Sequence, residues 1–237
     1  MASLADGATA VVTGASRGIG LEVARALRGR GVQVVMVARS REPLEAAARE
    51  LNGTPFAADL ASAFHVERLA EQVNSHFGDA PDIVVNAAGA FSLAPIAETS
   101  LDAFDATLAA NLRAPFVMIR TFLPRMLERG SGHIVSIGSI AGRQAFAGNG
   151  AYAASKYGLR GLHEVLESEV KGTGVRVTLV EPAATDTPLW DGVDYAQHTG
   201  LPDRSQMLSP RAVAECVLFA LESPAAVAIK YLGIERS

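Results

Sequence analysis

Short apolar runs alternate with longer amphipathic segments along this chain. The short runs are rich in Val, Ile and Ala with little polar alternation, which predicts strands buried on both faces of a parallel sheet. They fall at residues 8–13, 32–37, 54–58, 82–86, 132–138, 175–180 and 226–232. Apolar residues repeating every three to four positions predict helices at 18–29, 41–51, 62–77, 101–128, 151–171 and 209–222. This order predicts an α/β fold, a doubly wound parallel sheet of seven strands with helices on both faces.

Two prolines interrupt the longest predicted helix. Pro115 and Pro124 lie within residues 101–128, where proline removes a backbone donor and clashes with the preceding turn. The apolar period nevertheless continues across both prolines, at Leu101, Phe104, Leu108, Leu112, Phe116, Ile119, Leu123 and Met126. We therefore predict one helix that is kinked near Pro115 or Pro124.

Length and composition favour a single domain over residues 1–237, since the chain has no Pro/Ser-rich linker and no shift in composition. Apolar residues make up 49%, and the net charge is -4 with basic residues spread along the chain, so no nucleic-acid partner is expected. No apolar stretch has the length of a membrane span, and no signal peptide is evident, so we expect a cytoplasmic protein without a membrane partner. The histidines share no ligand spacing, so no metal site is expected; they are His65, His76, His133, His163 and His198.

A glycine-rich turn follows the first predicted strand. Gly14, Gly18 and Gly20 are spaced Gly-x-x-x-Gly-x-Gly and lead into the first predicted helix. Glycines let the backbone approach a pyrophosphate closely, and the helix N-terminus supplies unpaired N–H groups and a positive dipole end. The turn therefore predicts a dinucleotide site, and a plain glycine-rich turn is the alternative.

Tyr152 and Lys156 are four residues apart within a predicted helix, so both can reach one cleft. A free tyrosine titrates near ~10, and a nearby cation favours the phenolate, so we expect Lys156 to lower the pKa of Tyr152. Ser139 follows the apolar run 133–138, which places its hydroxyl at the carboxyl end of a strand, where open α/β sheets bind ligands. These side chains predict proton chemistry on a substrate, and Ser136 is the rival to Ser139.

Taken together, these motifs resemble the short-chain dehydrogenase/reductase family. The resemblance covers about residues 8 to 190 and rests on residues 13–20, Asn86-Ala-Ala-Gly89, Asn111, Ser139 and Tyr152-x-x-x-Lys156. It implies a single-domain Rossmann fold and an NAD(P)-dependent oxidoreductase whose catalytic residues are Asn111, Ser139, Tyr152 and Lys156. In the family, the position of Asn111 holds a water that links the lysine to solvent. The alternative for Asn111 is a polar residue that bonds a kinked helix backbone.

The resemblance also implies a set of cofactor contacts. Asp59 and Leu60 match the pair that meets the adenine edge, although Asp59 could be a helix N-cap. Thr187 belongs to a segment that holds the nicotinamide carboxamide, although it could be a turn hydroxyl bonded to its own backbone. The full set is Gly14, Ser16, Arg17, Gly18, Ile19, Gly20, Arg39, Asp59, Leu60, Asn86, Ala87, Ala88, Gly89, Tyr152, Lys156, Pro182, Thr185 and Thr187.

The end of the second predicted strand bears on cofactor choice. An acid in this region of the fold normally holds the ribose 2′-hydroxyl of NAD. Here the strand runs into Ala38 and Arg39, so no carboxylate repels a 2′-phosphate and Arg39 can clamp one. Arg17 could reach the same phosphate, and Arg41 adds positive charge. We therefore predict NADP(H), the alternative being that Arg39 and Arg41 are solvated charges at a helix start.

Residues 188–207 match the substrate lid of the family. Apolar side chains in this segment and three outside it predict a hydrophobic or aromatic small-molecule carbonyl substrate. The lid residues are Leu189, Trp190, Tyr195 and Met207, and the others are Phe91, Leu93 and Phe146. The predicted activity is that of an NADPH-dependent carbonyl reductase or alcohol dehydrogenase. A 3-oxoacyl carrier-protein reductase is one alternative, and a non-catalytic nucleotide-binding sensor is another. In the family, helices matching 101–128 and 151–171 pair about a two-fold axis, which predicts a homodimer or homotetramer.

Overall fold

The computed structural model describes residues 4, 7–193, 195 and 200–237. In this part of the chain, seven strands form one sheet in the order β3-β2-β1-β4-β5-β6-β7. All neighbouring strands are parallel, which confirms the predicted doubly wound Rossmann fold. The strands are β1 (Thr9–Thr13), β2 (Gln33–Ala38), β3 (Thr54–Ala57), β4 (Ile83–Asn86), β5 (Gly132–Ile137), β6 (Val175–Pro182) and β7 (Tyr231–Ile234).

Helices cover both faces of the sheet. They are α1 (Gly18–Arg28), α2 (Arg41–Leu51), α3 (Ala63–Phe77), α4 (Leu101–Leu108), α5 (Ala114–Arg129), α6 (Gly150–Glu169) and α7 (Pro210–Leu221). Successive strand residues serve opposite cores: Val12 packs with α1, α2 and α7, whereas Val11 packs with α3, α5 and α6. Two buried faces per strand explain the nearly continuous apolar runs in the sequence.

The long predicted helix is helical throughout but irregular in the middle. A π-helical turn, Ala109–Arg113, joins α4 to α5 just before Pro115. Proline has no N–H to donate to the preceding turn, and a wider turn accommodates the loss. The irregularity therefore lies on the side of Pro115, whereas Pro124 lies inside α5. The π turn also carries Asn111.

The last strand was predicted too early. The prediction placed it at 226–232, but pairing with β6 begins at Tyr231 and β7 ends at Ile234. The preceding residues form a turn in which the Val227 amide donates to the Pro224 carbonyl at 2.8 Å. Val227 is 45% exposed, so the apolar run there does not mark a buried strand. Among the described helices, none has both the length and the apolar character needed to cross a membrane.

Candidate active site

The carboxyl ends of the central strands open into one cavity of about 900 Å³. It lies at the point where the chain reverses direction across the sheet, since β1 has β2 on one side and β4 on the other. The predicted site residues that line it are Gly14, Ser16, Arg17, Gly18, Ile19, Gly20, Arg39, Asp59, Leu60, Ala87, Ala88, Gly89, Ser139, Tyr152, Lys156, Pro182, Thr185 and Thr187. Two predicted residues, Asn86 and Asn111, are buried and do not line the cavity.

The glycine turn and the segment after β4 form one cradle. Gly14 has φ +67°, and a Cβ there would lie 2.8 Å from the Ala87 carbonyl oxygen, so a side chain would collide with backbone. The Thr13 hydroxyl accepts hydrogen bonds from the amides of Ala87 and Ala88, both at 3.1 Å. These contacts hold two backbone segments at van der Waals distance beside the start of α1. The first N–H groups of a helix have no intrahelical partner, so this end of the cavity suits an anion.

Two arginines lie at the end of the cavity near β2. Arg17 and Arg39 are exposed and line the cavity. Within the described residues, neither guanidinium has an ion pair or a hydrogen bond. Arg41 is different, because its Nη1 lies 3.5 Å from Glu45 Oε1 and it is not part of the lining. Arg17 and Arg39, which were predicted to lie near a 2′-phosphate, are therefore unpaired among the described residues, whereas Arg41 is a surface charge.

Asp59 and Thr187 each had two interpretations. Ser62 caps α3, and Asp59 instead accepts a hydrogen bond from the Ala61 amide at 3.0 Å. The N-cap alternative for Asp59 is therefore wrong. The Thr187 hydroxyl accepts a hydrogen bond from the Leu189 amide at 3.3 Å, and Thr187 also lines the cavity. The hydroxyl therefore stabilises its own turn while the residue remains part of the cavity lining.

Ser139, Tyr152 and Lys156 meet at the other end of the cavity. The Ser139 and Tyr152 side chains line the same part of the cavity, and Ser139 Oγ accepts a hydrogen bond from the Ala141 amide at 3.1 Å. Lys156 Nζ donates to the Ile137 carbonyl at 2.9 Å and lies 5.5 Å from the centroid of the Tyr152 ring. The rival serine, Ser136, is fully buried and accepts from Asn86 Nδ2 at 3.3 Å. The geometry thus favours Ser139.

The pKa of Tyr152 differs from the sequence-based expectation. Burial raises the pKa to about 12, and the Ser139 hydroxyl opposes this rise. Burial also lowers the pKa of Lys156 to about 8. We expected the lysine to lower the pKa of the phenol, but desolvation of the ring is the larger effect. At neutral pH the Tyr152 phenol therefore holds its proton.

Asn111 connects the cavity wall to α6. Its Oδ1 accepts from the Ala90 amide at 2.8 Å, and its Nδ2 donates to the Ala90 carbonyl at 2.9 Å and to Ser155 Oγ at 3.0 Å. Ser155 Oγ in turn donates to the Tyr152 carbonyl at 2.6 Å. Asn111 therefore bonds the backbone of Ala90 and not the backbone of the irregular helix, which was the alternative for this residue. Asn111 is fully buried, so it ties the chain after Gly89 to the helix that carries Tyr152 and Lys156.

Aromatic residues lie beside Tyr152 in the cavity, at the end where a substrate was predicted to bind. The Phe91 ring lies 4.9 Å from the Tyr152 ring in an edge-to-face contact and 4.9 Å from Trp190. Leu93, Phe146, Leu189 and Trp190 also line this end, as predicted. Two other residues do not. Tyr195 contacts Trp190 from outside the lining. Met207 is buried and does not line the cavity, although its neighbours Gln206 and Leu208 do.

The predicted lid, residues 188–207, is described in part. Residues 194 and 196–199 lie outside the described residues. Arg204 joins the two described ends, donating from Nη2 to the Thr187 carbonyl at 2.6 Å and from Nη1 to Asp191 Oδ1 at 2.9 Å. One side chain therefore bridges the beginning and the end of this segment.

Two features near the site were missed in the sequence. Asn149 lines the cavity and is buried, and its Oδ1 has no hydrogen-bond partner among the described residues. Glu181 is a buried carboxylate paired with Arg160. A signal for Glu181 was available, because it interrupts the apolar run of β6 near its carboxyl end. Within the described residues, no three His, Cys, Asp or Glu side chains are grouped where they could share a metal ion; His198 lies outside them.

Comparison with known proteins assigns the family. The family model for short chain dehydrogenase matches residues 8–197. The chain belongs to the short-chain dehydrogenase family. It is therefore an oxidoreductase by family, as its motifs indicated. The D-threitol dehydrogenase of Mycolicibacterium smegmatis is 38% identical over 231 residues, which cover 94% of this chain and 88% of that protein.

Similar solved structures support the same assignment. A metagenomic short-chain oxidoreductase in complex with NADP is 33% identical, with a TM-score of 0.83 and 98% of both chains covered. The alcohol dehydrogenase of the archaeon Thermococcus sibiricus, complexed with 5-hydroxy-NADP, is 30% identical. Its TM-score is 0.84, and the match covers 97% of this chain and 96% of that one.

Proposed function

We propose that this short-chain dehydrogenase is an NADPH-dependent carbonyl reductase, or alcohol dehydrogenase in the reverse direction. The observation that carries the proposal is one cavity holding two sets of groups. Ser139, Tyr152 and Lys156 lie at one end, and the backbone cradle at Gly14 with the free Arg39 lies at the other. A proton donor and a dinucleotide site are what reduction of a ketone requires.

The residues present fit NADP(H). The cradle at Gly14 leaves no room for a side chain, as close backbone approach to a pyrophosphate demands. Arg39 and Arg17 are free cations that suit a 2′-phosphate, and structural neighbours bind NADP or 5-hydroxy-NADP. Asp59 and Leu60 would meet the adenine, and Thr185 and Thr187 would meet the nicotinamide. When bound, NADPH supplies the hydride.

The protein's own task is to orient the carbonyl and to deliver a proton. Ser139 would donate a hydrogen bond to the carbonyl oxygen, which makes the carbon more electrophilic. With a pKa of about 12, Tyr152 is protonated at neutral pH and can protonate the more basic alkoxide oxygen that reduction leaves. Lys156, held by the Ile137 carbonyl beside the ring, would bind the ribose hydroxyls.

The substrate end favours an apolar carbonyl compound. Phe91, Phe146 and Trp190 provide aromatic surface next to Tyr152. Such surface stabilises hydrophobic or aromatic groups by burial without fixing a particular hydrogen-bonding pattern. The proposed substrates are therefore hydrophobic or aromatic ketones and the corresponding secondary alcohols.

We also propose that the chain assembles as a homodimer or homotetramer. Large apolar side chains are exposed on adjacent faces of α5 and α6, where Phe116 is 48% and Val165 is 56% exposed. An apolar depression lined by Leu108, Leu112, Phe116 and Leu162 lies on this surface. A second copy related by a two-fold axis would cover it, because such an interface pairs each patch with itself.

Following NADPH absorbance with a panel of ketones tests the proposed activity. The panel should contain aromatic, medium-chain and small hydroxylated ketones. Tyr152→Phe should lower kcat by about 10² or more with little change in NADPH affinity, since it removes only the proton donor. Tyr157→Phe is the matched control, because Tyr157 is exposed on the same helix and is absent from the cavity lining.

Two results would contradict the proposal. Turnover by Tyr152→Phe within a few fold of the wild type would remove Tyr152 from the role of proton donor. Tight NADPH binding without turnover of any ketone or alcohol would favour the non-catalytic sensor.

A further inference from the structure

A buried carboxylate lies behind the proposed catalytic groups. Glu181 is on β6, and its side chain is 5% exposed. Arg160 Nη1 donates to both of its carboxylate oxygens at 2.9 Å, and Arg143 Nε lies 3.8 Å from Oε2. None of these three residues lines the cavity, so Glu181 does not touch a substrate or a cofactor bound there.

The partners of Glu181 belong to the segments that carry the catalytic groups. Arg160 lies on α6 one turn beyond Lys156. Arg143 directly follows the short 3₁₀ turn Ile140–Gly142, and Ser139 is the residue before that turn. One carboxylate therefore links the helix of Tyr152 and Lys156 to the turn of Ser139.

Packing around Gly142 makes this link tight. A Cβ at Gly142 would lie 3.0 Å from the Lys156 carbonyl oxygen and 3.5 Å from Glu181 Oε1. The turn thus lies in close contact with the α6 backbone and near the carboxylate. The Gly142 amide donates to the Ser139 carbonyl at 2.9 Å, so a shift of this turn would displace Ser139.

We propose that Glu181, through Arg160 and Arg143, is a positioning residue that sets Ser139 against Tyr152. The consequence for catalysis rests on the proposed reductase function. A hydrogen bond from Ser139 to the substrate oxygen is productive only where Tyr152 can reach the same oxygen. Small displacements of positioned groups cause large losses of rate, so a residue outside the cavity can control kcat.

The chain contains a matched pair for comparison. Glu222 is another buried carboxylate, 8% exposed at its side chain, and it accepts from Arg30 Nε at 2.8 Å. Glu222 follows α7, and Arg30 follows α1. Neither residue lines the cavity. Neutralising Glu222 therefore disrupts a similar ion pair of a buried carboxylate, at a place away from the segments that carry Ser139, Tyr152 and Lys156.

The experiment compares Glu181→Gln with Glu222→Gln in the full chain. Both variants should lower the unfolding midpoint, since each removes a buried carboxylate that is paired with an arginine. Glu181→Gln should lower kcat about 10- to 100-fold while NADPH affinity stays within about twofold. Glu222→Gln should keep kcat within about twofold. Equal effects of the two variants on kcat would overturn the proposal.

Amide hydrogen exchange tests the positioning without using activity. In Glu181→Gln, exchange at residues 138–143 should accelerate relative to the wild type, whereas Glu222→Gln should leave it unchanged. Unchanged exchange in Glu181→Gln would overturn the proposal even if the enzyme proved active. Wild-type protein that turns over no ketone would instead remove the proposed function, and the exchange result would still decide the positioning role.

A milder variant covers the case in which Glu181→Gln does not fold. Arg143 is 46% exposed, and Arg143→Gln removes its contact with Glu181 at 3.8 Å together with an exposed ion pair to Glu235 at 3.3 Å. It should accelerate exchange at 138–143 and lower kcat by a few fold, with Arg211→Gln as the control on an exposed helical ion pair. Indistinguishable exchange and kcat in these two variants would count against the link between Glu181 and Ser139.

Discussion

Removing the Arg39 guanidinium tests cofactor choice directly. Arg39 lines the cavity just after β2, and within the described residues it has no partner of its own. A 2′-phosphate would therefore gain its contact without first breaking an ion pair. Arg39→Ala should weaken NADPH binding and leave NADH binding unchanged, because NADH has a 2′-hydroxyl at that place.

The size of the effect follows from the exposure of the side chain. A hydrogen bond to a charged group contributes about 1.5–3 kcal/mol, and exposure places Arg39 toward the lower part of that range. Since each 1.4 kcal/mol is a factor of ten, NADPH affinity should fall about 10- to 30-fold. Adding Ala38→Asp should weaken NADPH binding further and favour NADH, because a carboxylate repels the phosphate and accepts from a ribose hydroxyl.

The assay is the dissociation constant of each cofactor, measured by nicotinamide fluorescence at one fixed ionic strength. Arg41→Ala is the matched control, since Arg41 is two residues away but pairs with Glu45 at 3.5 Å. An Arg39→Ala variant that binds NADPH within about twofold of the wild type would refute the reasoning. An equal loss of NADPH affinity in Arg41→Ala would also refute it, because the effect would then come from the overall positive charge and not from a specific contact of Arg39.

Three further predictions concern stability, assembly and the lid. Burial lowers the pKa of His133 to about 3 and of His163 to about 4, from 6.5. Below pH 6.5 these histidines are protonated in the unfolded state but not in the folded state. The free energy of unfolding should therefore fall by up to about 1.4 kcal/mol per histidine for each pH unit below 6.5, until the pH reaches the folded-state pKa values. Denaturant unfolding measures this, and equal stability at pH 7 and pH 5 would contradict it. Light scattering at micromolar concentration should give a mass above the 24.7 kDa of one chain, and a monomer would exclude the proposed assembly. Trp190 fluorescence, corrected for absorbance, should change when NADPH and a substrate analogue are added. Amide exchange across 188–207 should be faster without ligand than in β4 and β5, and equally slow exchange would show that the pocket is pre-formed.

Local sequence patterns were sufficient for most of the fold. Runs such as Ile83–Asn86 are apolar because both faces are buried, so period and length identified the strands. Gly14 was also predictable, since a backbone that passes within contact distance of Ala87 excludes a Cβ. The last strand was misplaced because the apolar residues 226–229 are mostly exposed in a connection that leads to the sheet edge.

The sequence predicted most of the residues that line the cavity, but it did not predict their pKa values. The spacing of Tyr152 and Lys156 indicated that they share a cleft, but the pKa of Tyr152 depends on burial that spacing does not reveal. The connection from Asn111 through Ser155 to the Tyr152 backbone joins residues 44 positions apart. The link from Glu181 to Arg143 and Arg160 is equally nonlocal. Such contacts exist only after the sheet brings its strand ends together.

The raised pKa of Tyr152 bears on the direction of the proposed reaction. At about 12, this pKa leaves very little phenolate at neutral pH, so the protein alone presents an acid and not a base. An acid serves carbonyl reduction, whereas alcohol oxidation needs a base, and basic groups become available as the pH rises. Lys156, with a pKa lowered to about 8, loses its own charge over the same range and would then favour the phenolate less. Since the Tyr152 phenol is protonated at neutral pH, we expect the proposed carbonyl reduction to be faster there than alcohol oxidation.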